Sequence, residues 1–174
     1  MSHVAIAGFV AVTATSREAS FAAFYQKNVG SLARTLTVSL ADPQVAQDAA
    51  QEAMARACER WDKIEQYDNP VGWCYRVAMN WATSRWRKRR REITTDKMPT
   101  PDLTLSPDVE LQDRLLIALR TLSLDQRSVI VLRLVEDWSI NETAEALGIA
   151  PGTVQSRYAR ALTRLRTELG DLHE

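Results

Sequence analysis

Between Arg85 and Arg91 the chain reads RWRKRRR, six cations in seven residues. Such a run attracts phosphate: each cation engaged by nucleic acid releases condensed counterions, so binding would be strongly salt-dependent. Directly upstream, Trp73, Arg76, Asn80 and Ser84 fall near one face if the segment is helical. Asparagine reads base edges, and aromatic rings give unpaired bases a surface on which to stack. A solvated, cationic helix end is the plain alternative. Trp81, in register with Cys74, Val77 and Ala78, reads as core. Trp73 and Trp86 fit either core packing or stacking.

A second constellation lies in SINETAEALGIAPGTVQSRYARALTRLR, Ser139 to Arg166. Ser139 and Glu142 have capping-box spacing, Gly148 supplies a left-handed turn, and Pro151 suits the first position of a new helix. In the first helix Ile140, Ala144 and Leu147 share a face. In the second, Val154, Tyr158, Ala161, Leu162 and Leu165 recur at helical spacing, which leaves Gln155, Ser156, Ala159 and Arg160 on another face. This is helix-turn-helix spacing, in which the second helix enters the major groove. Two packed helices with solvated arginines are the bland reading.

The side chains that catalysis would need are missing from any such grouping. The histidines, His3 and His173, stand at the chain ends, and Cys58 and Cys74 have no second cysteine or histidine at metal-ligand spacing. They read as small apolar residues in a reducing cytoplasm. No catalytic residue, metal or cofactor is expected.

The elements that must position these residues are helical, and strand signals are scarce, so the expected fold is all-α. Over 174 residues, 45% hydrophobic, the formal net charge of zero hides a split. Residues 1–91 hold 13 Lys/Arg against 8 Asp/Glu, residues 92–108 hold 1 against 4, and residues 109–174 hold 8 against 10. Phe21, Phe24, Tyr25, Leu32, Leu36 and Leu40 outline a first helix, expected to break or bend near Gly30 or Ser39. Asp42 and Pro43 start a second, packed on Ala49, Ala50, Ala53, Met54 and Ala57 and ending near Trp61. A polar loop, DKIEQYD, leads to Asn69 and Pro70, which start the cationic helix. Pro99, Pro101 and Pro107 interrupt residues 92–108, which read as a linker. VELQDRLLIALRTL and LDQRSVIVLRLVEDW then give two further helices before the helix-turn-helix. The expected division is a mobile leader over 1–20, helical units over 21–91 and 109–174, and the linker between them. No apolar run approaches the roughly 20 residues that span a bilayer.

This order of parts resembles the sigma-70 superfamily of bacterial transcription initiation factors, specifically its extracytoplasmic-function group. DAAQEAMARACERW, NPVGWCYRVAMNWATSR and VIVLRLVEDWSINETAEALGIAPGTVQSRYARALTRLR carry the resemblance, which covers residues 21 to 169. It implies that Asp48, Gln51 and Glu52, at i, i+3 and i+4, bind core RNA polymerase, where an ordinary solvated face is the alternative. It implies that Trp73, Arg76, Asn80, Ser84, Arg85, Arg87 and Lys88 serve the minus-10 element, and that the Asp62–Asp68 loop captures a flipped base. For the minus-35 element it implies Thr153, Gln155, Ser156, Arg157, Ala159 and Arg160, with Arg157 on phosphate or in an intramolecular pair. The implied partners are the polymerase core, promoter DNA and, for many members of the group, an anti-sigma factor. Asp96, Asp102 and Asp108 of the linker would face the polymerase's RNA path. Three departures stand out. Ala49, Ala50, Ala55 and Cys58 replace larger residues and predict looser packing, Ala150 stands where a capping serine is usual, and Ala159 offers only apolar contact. A stand-alone helix-turn-helix regulator and a DNA-processing enzyme are the rival readings.

Overall fold

The computed structural model describes the backbone of residues 3–92 and 110–170 and the side chains of residues 16–89 and 114–170. The linker, with Asp96, Asp102 and Asp108, lies outside the described residues, as do the side chains of Arg90 and Arg91. Eight α-helices and one π-helical turn, with no strand, make up the described residues: α1 (His3–Leu40), α2 (Pro43–Glu59), α3 (Trp61–Ile64), α4 (Pro70–Glu92), α5 (Glu110–Thr121), α6 (Leu124–Ile130), the π turn Val131–Val135, α7 (Ile140–Leu147) and α8 (Pro151–Gly170). The all-α expectation holds, and no helix among the described residues is long and apolar enough to cross a membrane.

The first helix departs from expectation by running unbroken through Gly30 and Ser39. Gly30 is exposed, where glycine weakens a helix by about 1 kcal/mol but leaves its hydrogen bonds in place. Ser39 is buried and accepts a 2.8 Å hydrogen bond from the Tyr75 hydroxyl. The stop comes at Ala41, whose φ of 54° is the left-handed conformation usually given to glycine.

The second helix starts as its sequence requires. Val45 N–H donates to Asp42 Oδ1 at 3.0 Å, with Pro43 in the first turn. Its alanines do not loosen the packing: Ala49, Ala50, Ala53 and Ala57 are all buried to 1% exposure or less, because small side chains let the α1 and α4 backbones come close. Ala55 and Cys58 point outward and bear on no core contact. Leu32, Leu36, Met54, Cys74, Tyr75 and Ala78 complete this core. Burial pushes the Cys74 thiol up to about 12.

The polar loop after Trp61 is partly helical. α3 occupies its first residues and buries Ile64 alongside Trp61, both at 3% exposure or less.

In the C-terminal part, α5, α6 and α8 bury Ala118, Leu119, Ile130, Ala161 and Leu165, while Val129, Ala144 and Val154 join α6, α7 and α8. The single helix expected from Leu124 to Trp138 instead gives way to the π turn, where Glu136 N–H reaches back to Val131 O. Asp137 then takes a φ of 54° and Trp138 N–H closes on Leu132 O at 3.0 Å. This reversal carries Trp138 onto Tyr75, edge to face at 6.3 Å between ring centroids. Thr35 donates to Glu136 beside it, and Leu132 and Ala146 are buried in the same cluster as α1, α2 and α4.

Candidate nucleic-acid interface

Helix α4 is launched by Asn69, whose Oδ1 accepts from Gly72 N–H at 2.8 Å. Burial of Cys74, Tyr75, Ala78 and Ala82 fixes its rotation. That rotation aims Asn80, Ser84, Arg85, Arg87 and Lys88 outward. Arg85 lies over the Trp81 ring at 5.2 Å, a cation–π contact that holds it near the helix surface. Trp81 and Trp86 are partly buried against the core, as is Trp73.

The structure divides the expected minus-10 set. Trp73 and Arg76 line a groove of about 250 Å³ together with Tyr67 and Asn69, and the opposite wall is Glu142, Glu145 and Ala146 of α7. Arg76 Nε is buried there without a hydrogen-bond partner. Asn80 and Ser84, one and two turns further on, remain exposed.

Helix α7 carries the anticipated capping box. Glu142 N–H donates to Ser139 Oγ at 3.2 Å and Ser139 N–H to the Glu142 carboxylate at 2.8 Å. Hydrogen bonds to the carboxylate from the Ser139 hydroxyl and from the Ser139 backbone N–H hold the Glu142 carboxyl below its ordinary range. Gly148, at φ 66°, makes the turn into α8. No side chain caps α8; the Ala150 carbonyl accepts from Thr153 and Val154 N–H at 2.9 and 3.1 Å instead.

Val154, Ala161 and Leu165 bury one side of α8, and the opposite side presents Gln155, Ser156, Ala159 and Arg160 to solvent. Thr153 is half-buried at the edge of that face. Arg157 belongs elsewhere, since its Nη2 pairs with Asp125 of α6 at 2.6 Å.

On α2, Gln51 is exposed and Asp48 and Glu52 are half-buried. All three already have internal partners: Gln44 donates to Asp48, Tyr25 to Gln51, and Arg56 pairs with Glu52. Among the described residues no cluster of three metal-ligating side chains occurs.

Sequence reasoning missed two groups. Arg17 and Ser20 contact the α2–α3 junction, and their signal was the continuation of the Phe21, Phe24 stripe one turn backwards. Trp138 and Tyr75 meet across the two halves, a contact with no local sequence signal.

Comparison with known proteins places both halves. Residues 22–92 match the family model for Sigma-70 region 2, and residues 112–165 match that for Sigma-70, region 4. The chain is 38% identical over 151 residues to the RNA polymerase sigma-E factor of Streptomyces coelicolor, covering 86% of this chain and 85% of that protein. It is 34% identical over 170 residues to the ECF RNA polymerase sigma factor SigL of Mycobacterium tuberculosis, covering 94% and 96%. Among solved structures, the sigma factor RpoE from Bartonella quintana, in complex with the anti-sigma factor NepR, superposes with a TM-score of 0.70 at 28% identity, over 87% of this chain and 97% of that one. CnrH, in complex with the cytosolic domain of CnrY, shares the fold with a TM-score of 0.64 at 23% identity, over 92% and 94%. With a region 2 and a region 4 in one chain and relatives matched over nearly their full length, the chain belongs to the extracytoplasmic-function sigma factors of the sigma-70 superfamily.

Proposed function

We propose a division of labour among the helices of this RNA polymerase sigma factor. The outer face of α2, with Asp48, Gln51 and Glu52, binds the polymerase core. In the unit over 21–91, α4 serves the minus-10 element: Asn80 and Ser84 meet bases, Arg85, Arg87 and Lys88 meet phosphates, and Trp73 and Arg76 join once their groove is open. The Asp62–Asp68 loop takes an extruded base, which favours melting because it binds that base better than the stacked one. In the unit over 109–174, α8 lies in the major groove of the minus-35 element and reads it with Gln155, Ser156, Ala159 and Arg160, Thr153 contributing at its N-terminus. The 92–108 linker joins the two along the polymerase's RNA path. The protein works by binding, and RNA synthesis belongs to the polymerase.

The observation that carries this reading is the exposed polar face of α8, set opposite a fully buried Val154 and Ala161, in a chain that also holds a region 2. A stand-alone regulator has no use for that second unit. The likeness to RpoE, solved with the anti-sigma factor NepR, supports an anti-sigma factor as a further partner.

The test is promoter-dependent transcription by purified bacterial core polymerase with the wild-type protein, Asp48→Ala/Glu52→Ala and Arg160→Ala. Specific initiation should require the protein, fall in the first variant through lost core affinity, and fall in the second with core affinity intact. Tight duplex binding by the free protein, with no core binding, would restore the stand-alone regulator.

A further inference from the structure

Arg17, Ser20, Phe21 and Phe24 occupy i, i+3, i+4 and i+7 of α1 and so form one stripe. All four converge on the α2–α3 junction. The Phe24 and Phe21 rings lie 4.6 and 5.4 Å from Trp61, centroid to centroid. Trp61 Nε1–H donates to Ser20 Oγ at 3.0 Å, and the Ser20 hydroxyl donates to a Glu65 carboxylate oxygen at 3.1 Å. Arg17 Nη2 donates to Cys58 O at 2.7 Å, one of the carbonyls that the end of α2 leaves without a helical partner. Its Nε lies 2.8 Å from Asp62 Oδ1, an ion pair made without hydrogen-bond alignment.

One exposed ion pair would carry little meaning. Here two polar side chains grip the last turn of α2, the Trp61 ring, Asp62 and Glu65 together, while two phenyl rings hold Trp61 from one side. The gripped element is a four-residue helix, too short to keep its own shape. Asp62 and Glu65 also belong to the loop that leads into α4. Arginine suits this place better than lysine, because its planar fork addresses a carbonyl and a carboxylate at once. Both Arg17 and Ser20 precede residue 22, where the match to region 2 begins, while the groups they hold lie within it.

We propose that Arg17 and Ser20 are positioning residues for promoter specificity: they fix α3, and through it the Asp62–Asp68 loop, in the one geometry that selects the extruded minus-10 base. The proposal rests on the reading of that loop as the base-capturing element. A loop held to a fraction of an ångström can reject the wrong base, whereas a loop free to shift accommodates several.

The experiment uses holoenzyme, assembled from bacterial core and the full-length protein, and a single-stranded non-template oligonucleotide library randomised over the minus-10 segment. Bound sequences give the preference at each position. Wild type should show one dominant position, and Lys63→Ser/Gln66→Ser/Asp68→Ser should erase its preference. Arg17→Ala and Ser20→Ala should lower the preference at that same position at least fivefold with core affinity unchanged, and Arg17→Lys should recover part of it. Retention of the preference in Arg17→Ala and Ser20→Ala, while the loop variant loses it, overturns the positioning role alone. Retention in the loop variant overturns base capture and the positioning role with it. Should Arg17→Ala also lose core affinity, Ser20→Ala, which removes only a hydroxyl, decides between the two.

Discussion

Arg157 Nη2 lies 2.6 Å from Asp125 Oδ2, which ties α8 to α6. On the proposed function, the pair withholds a cation from the phosphates beside the face of α8 that meets DNA. Asp125→Asn therefore frees Arg157 for DNA. Duplex affinity of the free protein should rise at low salt, and the slope of log affinity against log salt should steepen by up to about 0.9. Stability should change by no more than about 1 kcal/mol, since Asp125 is well exposed. Fluorescence anisotropy across a potassium chloride series, beside a urea titration, measures both.

Arg160 and Gln155 stand on the open face of α8 with no partner of their own helix to hold them. Arg160→Ala should cost about 1–3 kcal/mol at the base pair it reads and relax specificity there, leaving other positions unchanged. Transcription from promoters carrying each substitution across the minus-35 element would show the effect. A uniform loss at every position would instead mark Arg160 as a phosphate contact.

The two cysteines should differ sharply in reactivity. Cys58 is exposed on α2, whereas Cys74 is buried and its thiol is pushed up to about 12. Only the thiolate reacts readily. A disulfide reagent at pH 8 should titrate one thiol quickly in the native protein and the second only in denaturant. Cys58→Ser should abolish the fast phase.

The capping box of α7 gives a pH dependence of known sign. Glu142 ionises more easily in the folded chain, so its contribution is present above the ordinary carboxylate range and fades as pH falls through the lowered folded value. The urea midpoint of Glu142→Gln should lie below that of wild type near pH 7, and the gap should close below about pH 4. Ser139→Ala removes the other half of the box and should cost about 0.5–2 kcal/mol. A gap that stays constant with pH would show that the carboxylate charge plays no part.

What could be read from sequence was local. Asp42 with Pro43, Asn69 with Pro70, and Ser139 with Glu142 announced three helix starts, because a cap is a contract between neighbours three residues apart. The outward set on α8 was equally legible, since the buried positions of one helix determine the rest. The break or bend expected in α1 near Gly30 or Ser39 is absent because a glycine inside a helix is tolerated, and Ala41, where the chain turns, adopts a left-handed φ without any sequence mark. The π turn was invisible for a related reason: one extra residue per turn leaves the hydrophobic pattern of VIVLRLV nearly intact. Arg17 and Trp138 were missed because their partners are 41 or more residues away in sequence, and only tertiary packing brings them together.

The seat of Trp138 on Tyr75 has a calorimetric consequence. Elements centred about 25 base pairs apart are separated by on the order of 85 Å along B-form DNA. α4 and α7 face each other across one groove, so on the proposed function engagement of both elements must part them. Parting puts the apolar surface of Trp138, Tyr75, Leu132 and Ala146 into water, which raises the heat capacity by about 0.45 cal/K/mol for each Å² exposed. New interfaces with polymerase and promoter lower it. The heat capacity of assembly should thus be less negative than the new contact areas dictate, and the shortfall measures how much surface the two halves hide in each other when the protein is alone.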